Sequence, residues 1–129
     1  MGQSCYCGSG AEFETCCEPF IIGSEKPDTA ERLMRSRYTA YALKNEDYLI
    51  ETWHTTTRPL KKQVEDDKVK WHRLKVVKTV MGAAEDNTGE VLFEAIYKVN
   101  GKAHKHVERS LFEKEEGQWR YLDVKETLI

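Results

Sequence analysis

The clearest chemistry in the sequence lies in its 4 cysteines, which all fall within the first 17 residues of a 129-residue chain. Cys5, Cys7, Cys16 and Cys17 form the pattern C-x-C-x8-C-C. Four thiolates this close in sequence suit one tetrahedral Zn²⁺ ion, whose bonds to sulfur are about 2.3 Å long. Unligated thiols are the alternative, whereas a disulfide between the adjacent Cys16 and Cys17 would be strained and disfavoured in a reducing compartment. The sequence therefore predicts one zinc ion held by these residues.

Such a site would organise the first 26 residues, which are rich in cysteine, glycine and serine. A segment this small cannot build a core of its own and needs a metal or a covalent staple to fold. Because four thiolates fill a tetrahedral coordination sphere, no position is left for a reactive water, so the ion should be structural. We expect a small zinc-binding knob over residues 1–26 that packs on a second domain over residues 27–129.

A second group of reactive side chains follows from the pairing of two predicted strands. Asn100-Gly101 predicts a two-residue hairpin turn, because both positions of a type I′ turn need a positive φ. The resulting register sets His106 opposite Ala95 and Glu108 opposite Phe93, and cross-strand partners share one face of the sheet. The apolar face of the first strand therefore continues on the second as a polar stripe of His104, His106, Glu108 and Ser110.

Two further expectations concern a buried cation and its acidic partner. If Glu116-Gly117 also forms a two-residue turn, Asp123 lies opposite Ser110 and shares its face of the sheet. Arg37 falls inside the apolar stripe of a predicted helix, at about 100° per residue. Because an unpaired buried charge is very costly, we expect Arg37 to reach Glu108 or Asp123 across the fold.

These groups define a candidate polar pocket, and two interpretations of it stay open. In the functional interpretation, the pocket binds a small molecule or supports acid–base chemistry through its histidines and carboxylates. In the structural interpretation, Arg37 and its partner fix the helix to the sheet, and the histidines are hydrogen-bonded rim residues. The structural interpretation is favoured, because no nucleophile–base pair follows from the spacing and fold analogy supplies no mechanism. The candidate pocket residues are Arg37, Tyr41, Trp53, His54, His106, Glu108 and Asp123.

Three other patterns carry weaker signals. His104 and His106 share a strand face but lack an evident third metal ligand. His54 and Arg58 could grip an anion, although shaping a loop is their more ordinary role. Basic residues outnumber acidic ones from position 58 to position 78, with a tryptophan among them, which is a weak pattern for single-stranded nucleic acid. Lysines also protect sheet edges from aggregation, so nucleic acid is not the expected partner.

The elements that position these groups are predicted by periodicity. The segment Asp28-Thr29-Ala30-Glu31 reads as a capping box with Asp28 as the cap, and apolar residues recur after it at three- and four-residue spacing through Ala42. A short helix is predicted from Asp47 to about Trp53. Alternating, strand-like segments joined by turn residues fill the second half. Helices first and antiparallel strands afterwards indicate an α+β fold with the helices on one face of the sheet.

Composition is typical of a globular protein. Lys and Arg total 20 against 22 Asp and Glu, the formal net charge is −2, and apolar residues make up 40%. This balance is atypical of a general polyanion binder. No apolar run approaches the ~18 residues of a membrane-spanning helix, and the N-terminus has no apolar signal region. We therefore expect a cytoplasmic protein with reduced thiols and no membrane contact, and the oligomeric state stays open.

Several motifs together resemble a known family. The cysteine segment is similar to the SEC-C zinc motif first associated with the secretion ATPase SecA, and most of the chain resembles the bacterial YchJ family. The matching segments are Leu33-Met34-Arg35-Ser36-Arg37-Tyr38-Thr39-Ala40-Tyr41, Thr52-Trp53-His54, Thr57-Arg58-Pro59, Trp71-x-x-Leu74, His106-Val107-Glu108-Arg109-Ser110-x-Phe112 and Trp119-x-Tyr121-x-Asp123. The resemblance implies a cone-shaped nuclear-transport-factor-2-like (cystatin-like) domain, whose curved antiparallel sheet cups the helices. It implies no established activity.

The family resemblance leaves the function open between two classes. We expect a zinc-binding adaptor that is not an enzyme and whose zinc head contacts another protein. The acidic loop Ala11-Glu12-Phe13-Glu14 replaces a lysine-rich loop of SecA, which argues against an acidic docking partner. The alternative is a small-molecule-binding protein or enzyme that uses the cup, which is the space between the curved sheet and the helices. An open cup that contains both His106 and Glu108 would favour the alternative, and a filled cup would favour the adaptor.

Overall fold

The computed structural model describes residues 3–59 and 69–128. Its elements follow the predicted order, with helices before strands, and the fold is α+β with a curved antiparallel sheet in the order β1-β2-β3-β4. A 3-10 turn at Phe13–Thr15 precedes the helices α1 (Glu18–Ile21), α2 (Ala30–Ala42) and α3 (Glu46–Glu51). The strands are β1 (Val69–Met81), β2 (Thr88–Val99), β3 (Lys102–Glu115) and β4 (Gln118–Thr127).

The main helix α2 is capped one residue later than predicted. The side chain of Thr29 accepts a hydrogen bond from the backbone N–H of Arg32 at 3.1 Å, so Thr29 is the N-cap. Asp28 instead pairs through its carboxylate with the guanidinium of Arg32 at 3.0 Å. Among residues 3–59 and 69–128, no helix is long and apolar enough to cross a membrane.

The core lies between α2 and the concave face of the sheet. Leu33 and Tyr38 of α2 are buried, and the inward residues of β2 and β3 alternate beneath them. This pattern of period two on the strands and three to four on the helix is what binary patterning requires of a helix packed on a half-buried sheet. The buried strand residues of this cluster are Leu74, Val91, Phe93, Ala95, Phe112 and Trp119.

The register of the β2–β3 hairpin is confirmed. Ala95 pairs with His106 and Phe93 pairs with Glu108, as the two-residue turn requires. Asn100 and Gly101 have φ values of 52° and 80°, which are the positive values of a type I′ turn. The hairpin therefore places the polar stripe of β3 beside the apolar stripe of β2.

The expected partner of Asp123 is wrong by one residue. A register irregularity between Leu111 and Phe112 sets Asp123 opposite Leu111, and Val124 takes the place opposite Ser110. Because side chains alternate between the faces of a strand, a shift of one residue moves a side chain to the other face. Asp123 is accordingly exposed on the convex face and does not enter the cup.

The cysteine segment packs into the main core. Cys5, Cys7 and Cys17 are buried in the same cluster as the α2 and strand residues above. The contact is close, because a Cβ added at Gly8 would lie 2.9 Å from the carbonyl oxygen of Leu74. Residues 3–26 therefore form a head that packs over one end of the core and shares that core with the following domain.

Candidate metal centre and cup

The sulfur atoms of Cys5, Cys7, Cys16 and Cys17 converge on one point. All four lie within 4.8 Å of one another, and those of Cys7 and Cys16 are 3.6 Å apart. None of them is in a disulfide. A tetrahedral ion with bonds of about 2.3 Å to sulfur separates its ligands by about 3.8 Å. The arrangement fits a single metal ion held by four thiolates.

Neighbouring groups hold this cluster in place. Arg35 of α2 donates from Nη1 to the carbonyl oxygen of Cys7 at 2.9 Å, while its Nε donates to Glu31 at 3.0 Å. The hydroxyl of Ser9 lies 3.2 Å from the sulfur of Cys16. The guanidinium also brings positive charge to the cluster, which favours thiolates. Helix α2 therefore stabilises the cysteine cluster from outside the cysteine segment.

The crowding of the sulfurs separates the pKa values of the thiols. A hydrogen bond from Cys17 lowers the pKa of the Cys7 thiol to about 4. The same contact, together with burial, raises the pKa of Cys17, and burial raises the pKa of Cys16. The crowded sulfurs thus disfavour a full set of thiolates on their own. A divalent cation would remove this conflict by binding all the sulfurs as thiolates.

A cavity of about 230 Å³ lies between α2 and the concave face of the sheet. Its walls are mostly aromatic and apolar, with a cation on the helix side and a hydrogen-bonded carboxylate on the sheet side. The lining residues are Met34, Arg37, Tyr38, Tyr41, Trp53, Trp71, Phe93, Ala95, His106, Glu108, Ser110 and Tyr121.

The sheet side of the cavity carries a short hydrogen-bonded chain along β3. The Oε1 atom of Glu108 lies 2.9 Å from Nε2 of His106, and its Oε2 atom accepts a hydrogen bond from Ser110 at 2.6 Å. These residues alternate along the strand and share the concave face. The side chains of His106 and Glu108 are 32% and 16% exposed. The cup is therefore open to solvent on the side of His106.

On the helix side, Arg37 is only 3% exposed, and the expected ion pair with Glu108 or Asp123 is wrong. Its Nη1 atom donates to the carbonyl oxygen of Leu49 and to the hydroxyl of Thr52, both at 2.8 Å. Within the described residues, the guanidinium makes no ion pair. The reason is that Asp123 faces outward, Glu108 is held by its strand neighbours, and the end of α3 offers a free carbonyl.

Two aromatic rings complete the surroundings of Arg37. The guanidinium carbon lies 5.2 Å from the ring centroid of Trp53 and 4.7 Å from that of Tyr121, both within cation–π range. Burial lowers the pKa of Arg37, and the nearby phenols of Tyr41, Tyr121 and Tyr48 oppose that shift. Aromatic faces and neutral oxygens thus surround this charge.

Two of the residues predicted for the pocket lie outside its lining. His54 is buried, and its backbone N–H donates to the carbonyl oxygen of Tyr121 at 2.8 Å. Its Nε2 and Nδ1 atoms lie 3.7 Å and 3.9 Å from the carboxylates of Glu113 and Glu115. Asp123 accepts a hydrogen bond from the backbone N–H of Val124 at 2.8 Å. The structure gathers the other predicted residues, Arg37, Tyr41, Trp53, His106 and Glu108, around the cavity.

Trp71 also lines the cavity, although its sequence neighbours indicate only a basic stretch. Its ring lies 5.8 Å from that of Tyr38, 5.9 Å from that of Tyr41 and 5.4 Å from that of Tyr97. Strand alternation alone would set Trp71 and the inward-facing Leu74, three residues apart, on opposite faces, and the register irregularity between Trp71 and Arg73 brings both to the concave face. Positions 60–68 of the basic stretch lie outside the described residues.

Arg58 belongs to the loop after α3 and fixes its shape. It donates from Nη2 to the backbone carbonyl of Trp53 at 2.9 Å and to that of Glu51 at 3.3 Å. The ring of His54 makes its own local contact, because its Nδ1 atom lies 2.8 Å from the hydroxyl of Thr56. The geometry of both side chains agrees with loop shaping.

The fold and the two sites define a nuclear-transport-factor-2-like α+β protein that carries an N-terminal cysteine cluster. The chain belongs to the YchJ family, because residues 29–124 match the family model described as "YchJ, middle NTF2-like domain". The UPF0225 protein of Chromobacterium violaceum is 44% identical over 122 residues, which cover 92% of this chain and 90% of that protein. The UPF0225 protein of Streptomyces coelicolor is 41% identical over 119 residues, covering 92% of each.

Two solved structures share the whole architecture. The solution structure of a SEC-C motif containing protein from Rhodopseudomonas palustris has a TM-score of 0.82 and 32% identity, covering 97% of this chain and 98% of that one. The crystal structure of a SEC-C motif containing protein from Psychrobacter arcticus has a TM-score of 0.76 and 25% identity, covering 98% of this chain and 85% of that one. The overall arrangement of this chain therefore occurs in other bacterial proteins that carry a SEC-C motif.

Proposed function

We propose that this protein binds a small organic molecule in the cup, and that the cysteine-containing head stabilises the wall of the cup. The observation that carries the proposal is the open cavity of about 230 Å³ that contains both His106 and Glu108. A filled cup would have favoured an adaptor without a ligand. Binding sites for small molecules are typically concave and apolar, with a few convergent polar groups.

The walls of the cavity support a ligand with an aromatic ring. Trp53, Trp71 and Tyr121 present large apolar faces, and such faces stack on or pack edge-to-face against planar rings. The polar groups sit at opposite sides, with Arg37 on α2 and Glu108 on β3. This division would orient a ligand across the cup. We propose binding alone, because the Ser110 hydroxyl that donates to Glu108 belongs to a residue only 1% exposed.

Tryptophan fluorescence tests the proposal, since two of the 3 tryptophans line the cavity. Benzoate, benzamide and benzamidine have nearly the same shape and carry negative, neutral and positive charge. We expect at least one of them to change the fluorescence saturably. Ala95→Leu should abolish the change, because it fills the cavity, whereas Ala103→Leu on the exposed end of β3 should not. Failure of all three compounds to bind would refute the proposal.

We also propose that the four cysteines of the head bind Zn²⁺ and that this ion is structural. Thiolates are soft ligands that select zinc over hard cations, and a site with four of them leaves no open coordination position. Elemental analysis of protein purified under reducing conditions should find one zinc per chain. Cys16→Ser should lower that content, and a metal-free wild-type protein would contradict the proposal.

An adaptor role for the head is a second candidate, favoured by its exposed apolar side chains. Ile22 is 69% exposed and Tyr6 is 36% exposed, so these two apolar side chains of the head are available to a protein partner. A truncation at Pro27 would not isolate this role, because the head shares the main core. Ile22→Glu is the cleaner variant: it should reduce capture of a protein partner while leaving the metal content and the melting temperature unchanged.

A further inference from the structure

We propose that the cup selects a planar organic anion, whose carboxylate pairs with the guanidinium of Arg37. This inference rests on the proposed binding function and names the class of ligand. The structure points to it through a buried positive charge at the cavity wall that has no anionic partner among the described residues.

The charge of Arg37 is compensated only by neutral groups in the described part of the chain. Its hydrogen bonds to the carbonyl oxygen of Leu49 and the hydroxyl of Thr52 both leave from Nη1. The phenol of Tyr41 is a further hydrogen-bonding neighbour. With five N–H donors, the guanidinium keeps capacity for another acceptor. A buried cation is costly to desolvate, and a carboxylate in the cavity would supply the missing charge. The planar fork of arginine also matches the two oxygens of a carboxylate.

The acid that lines the cavity does not meet this need. Glu108 is engaged on both of its oxygens, with His106 at 2.9 Å and Ser110 at 2.6 Å. Besides Arg37, Glu108 and its partner His106, the ionisable groups that line the cavity are the phenols of Tyr38, Tyr41 and Tyr121. Burial raises the pKa of Tyr121, so its phenol stays neutral near physiological pH. An incoming anion therefore meets one unpaired cation and one carboxylate that is already bonded.

The size and shape of the cavity limit the ligand to a single small ring system. Its volume of about 230 Å³ is below the range of roughly 300–1,000 Å³ that holds drug-sized ligands. The rings of Trp53 and Tyr121 already flank the guanidinium, at 5.2 Å and 4.7 Å from its carbon. A planar ring that carries a carboxylate can pack between such walls while its charged end reaches Arg37. Benzoate is the simplest compound with these properties.

The three probes separate this inference from the proposed function. We expect the Kd of benzoate to be at least about tenfold lower than that of benzamide, with benzamidine the weakest. Equal binding of benzoate and benzamide would overturn the anion inference and leave the binding function standing. Tightest binding of benzamidine would also overturn it, because Glu108 would then dominate. No binding by any probe would refute both.

Substitution of the cation tests the residue assignment. Arg37→Met should weaken benzoate at least about tenfold and change benzamide less than about threefold. Arg37→Lys keeps the charge without the fork, so it should retain part of the preference for benzoate. Arg32→Met, at an exposed position of the same helix, is the matched control and should leave both affinities unchanged. An unchanged benzoate affinity in folded Arg37→Met or Arg37→Lys protein would assign the anion to another group. If neither variant folds, the wild-type ratio of benzoate to benzamide decides the inference alone.

Discussion

Loss of one proposed metal ligand should destabilise the whole domain, because the head and the cup share a core. The most informative substitution is Cys17→Ala, since Cys17 is 1% exposed and packs in the same cluster as Leu33, Tyr38 and Leu74. Alanine removes the thiolate without leaving a polar group in the core. We expect the variant to lose the metal and the head to loosen from these three residues.

The size of the effect follows from the surface that the head covers. Burial of a large apolar side chain contributes roughly 1.5–3 kcal/mol, so losing about half of the burial of three such residues costs about 3 kcal/mol. Domains are stable by roughly 5–15 kcal/mol in total. A loss of about 3 kcal/mol should lower the melting temperature by about 10 °C for a domain of this size.

Circular dichroism and calorimetry provide the assay. The melt of Cys17→Ala should remain one cooperative transition at the lower temperature, and a chelator should shift wild-type protein towards the same value. Ser24→Ala is the control, because Ser24 is exposed in the same segment and its hydroxyl donates to the carbonyl oxygen of Pro19 and not to a sulfur. The stability of this variant should change by less than about 0.5 kcal/mol. A metal-free Cys17→Ala protein that melts within about 2 °C of the wild type would refute a shared core.

Two further predictions concern local structure and pH. Thr29→Ala should lower the free energy of unfolding by about 1 kcal/mol in urea denaturation, because Thr29 caps α2. Asp28→Ala should lower it by less than about 0.5 kcal/mol. The reverse order would mean that Asp28 is the cap, as the sequence predicts. Burial raises the pKa of Tyr48 to about 12, so the folded state holds this proton more tightly than the unfolded chain. The protonated phenol therefore contributes about 2–3 kcal/mol to the free energy of unfolding below about pH 10. This contribution is lost as the pH rises towards about 12. Denaturation measured across this range should show a decline that Tyr48→Phe reduces, and an equally steep decline in that variant would contradict the assignment.

Those features of the fold that depend on local pattern could be predicted from the sequence. The two-residue turn at Asn100-Gly101 fixes the β2–β3 register by itself, because type I′ geometry and residue alternation leave no freedom. The convergence of the cysteines follows from the short spacing between them. The apolar stripe of α2 likewise identifies the face that packs on the sheet.

Features that depend on distant pairing could not be predicted. The irregularity between Leu111 and Phe112 turns Asp123 to the convex face, and no turn signal in the sequence encodes it. Arg37 was correctly placed in the apolar stripe, but its acceptors come from the end of α3, whose position is set by tertiary packing. The aromatic wall also required the β1–β2 pairing, which brings Trp71 opposite Tyr97.

The indole N–H resonances in a ¹⁵N NMR titration test ligand binding in the cup most directly. Trp53 and Trp71 line the cavity, whereas Trp119 donates its indole N–H to the backbone carbonyl of Asp28 at 3.1 Å, outside the lining. Added benzoate should shift the Trp53 and Trp71 signals saturably and leave the Trp119 signal in place. Signals that all stay unmoved, or a shift confined to Trp119, would contradict a ligand site in the cup.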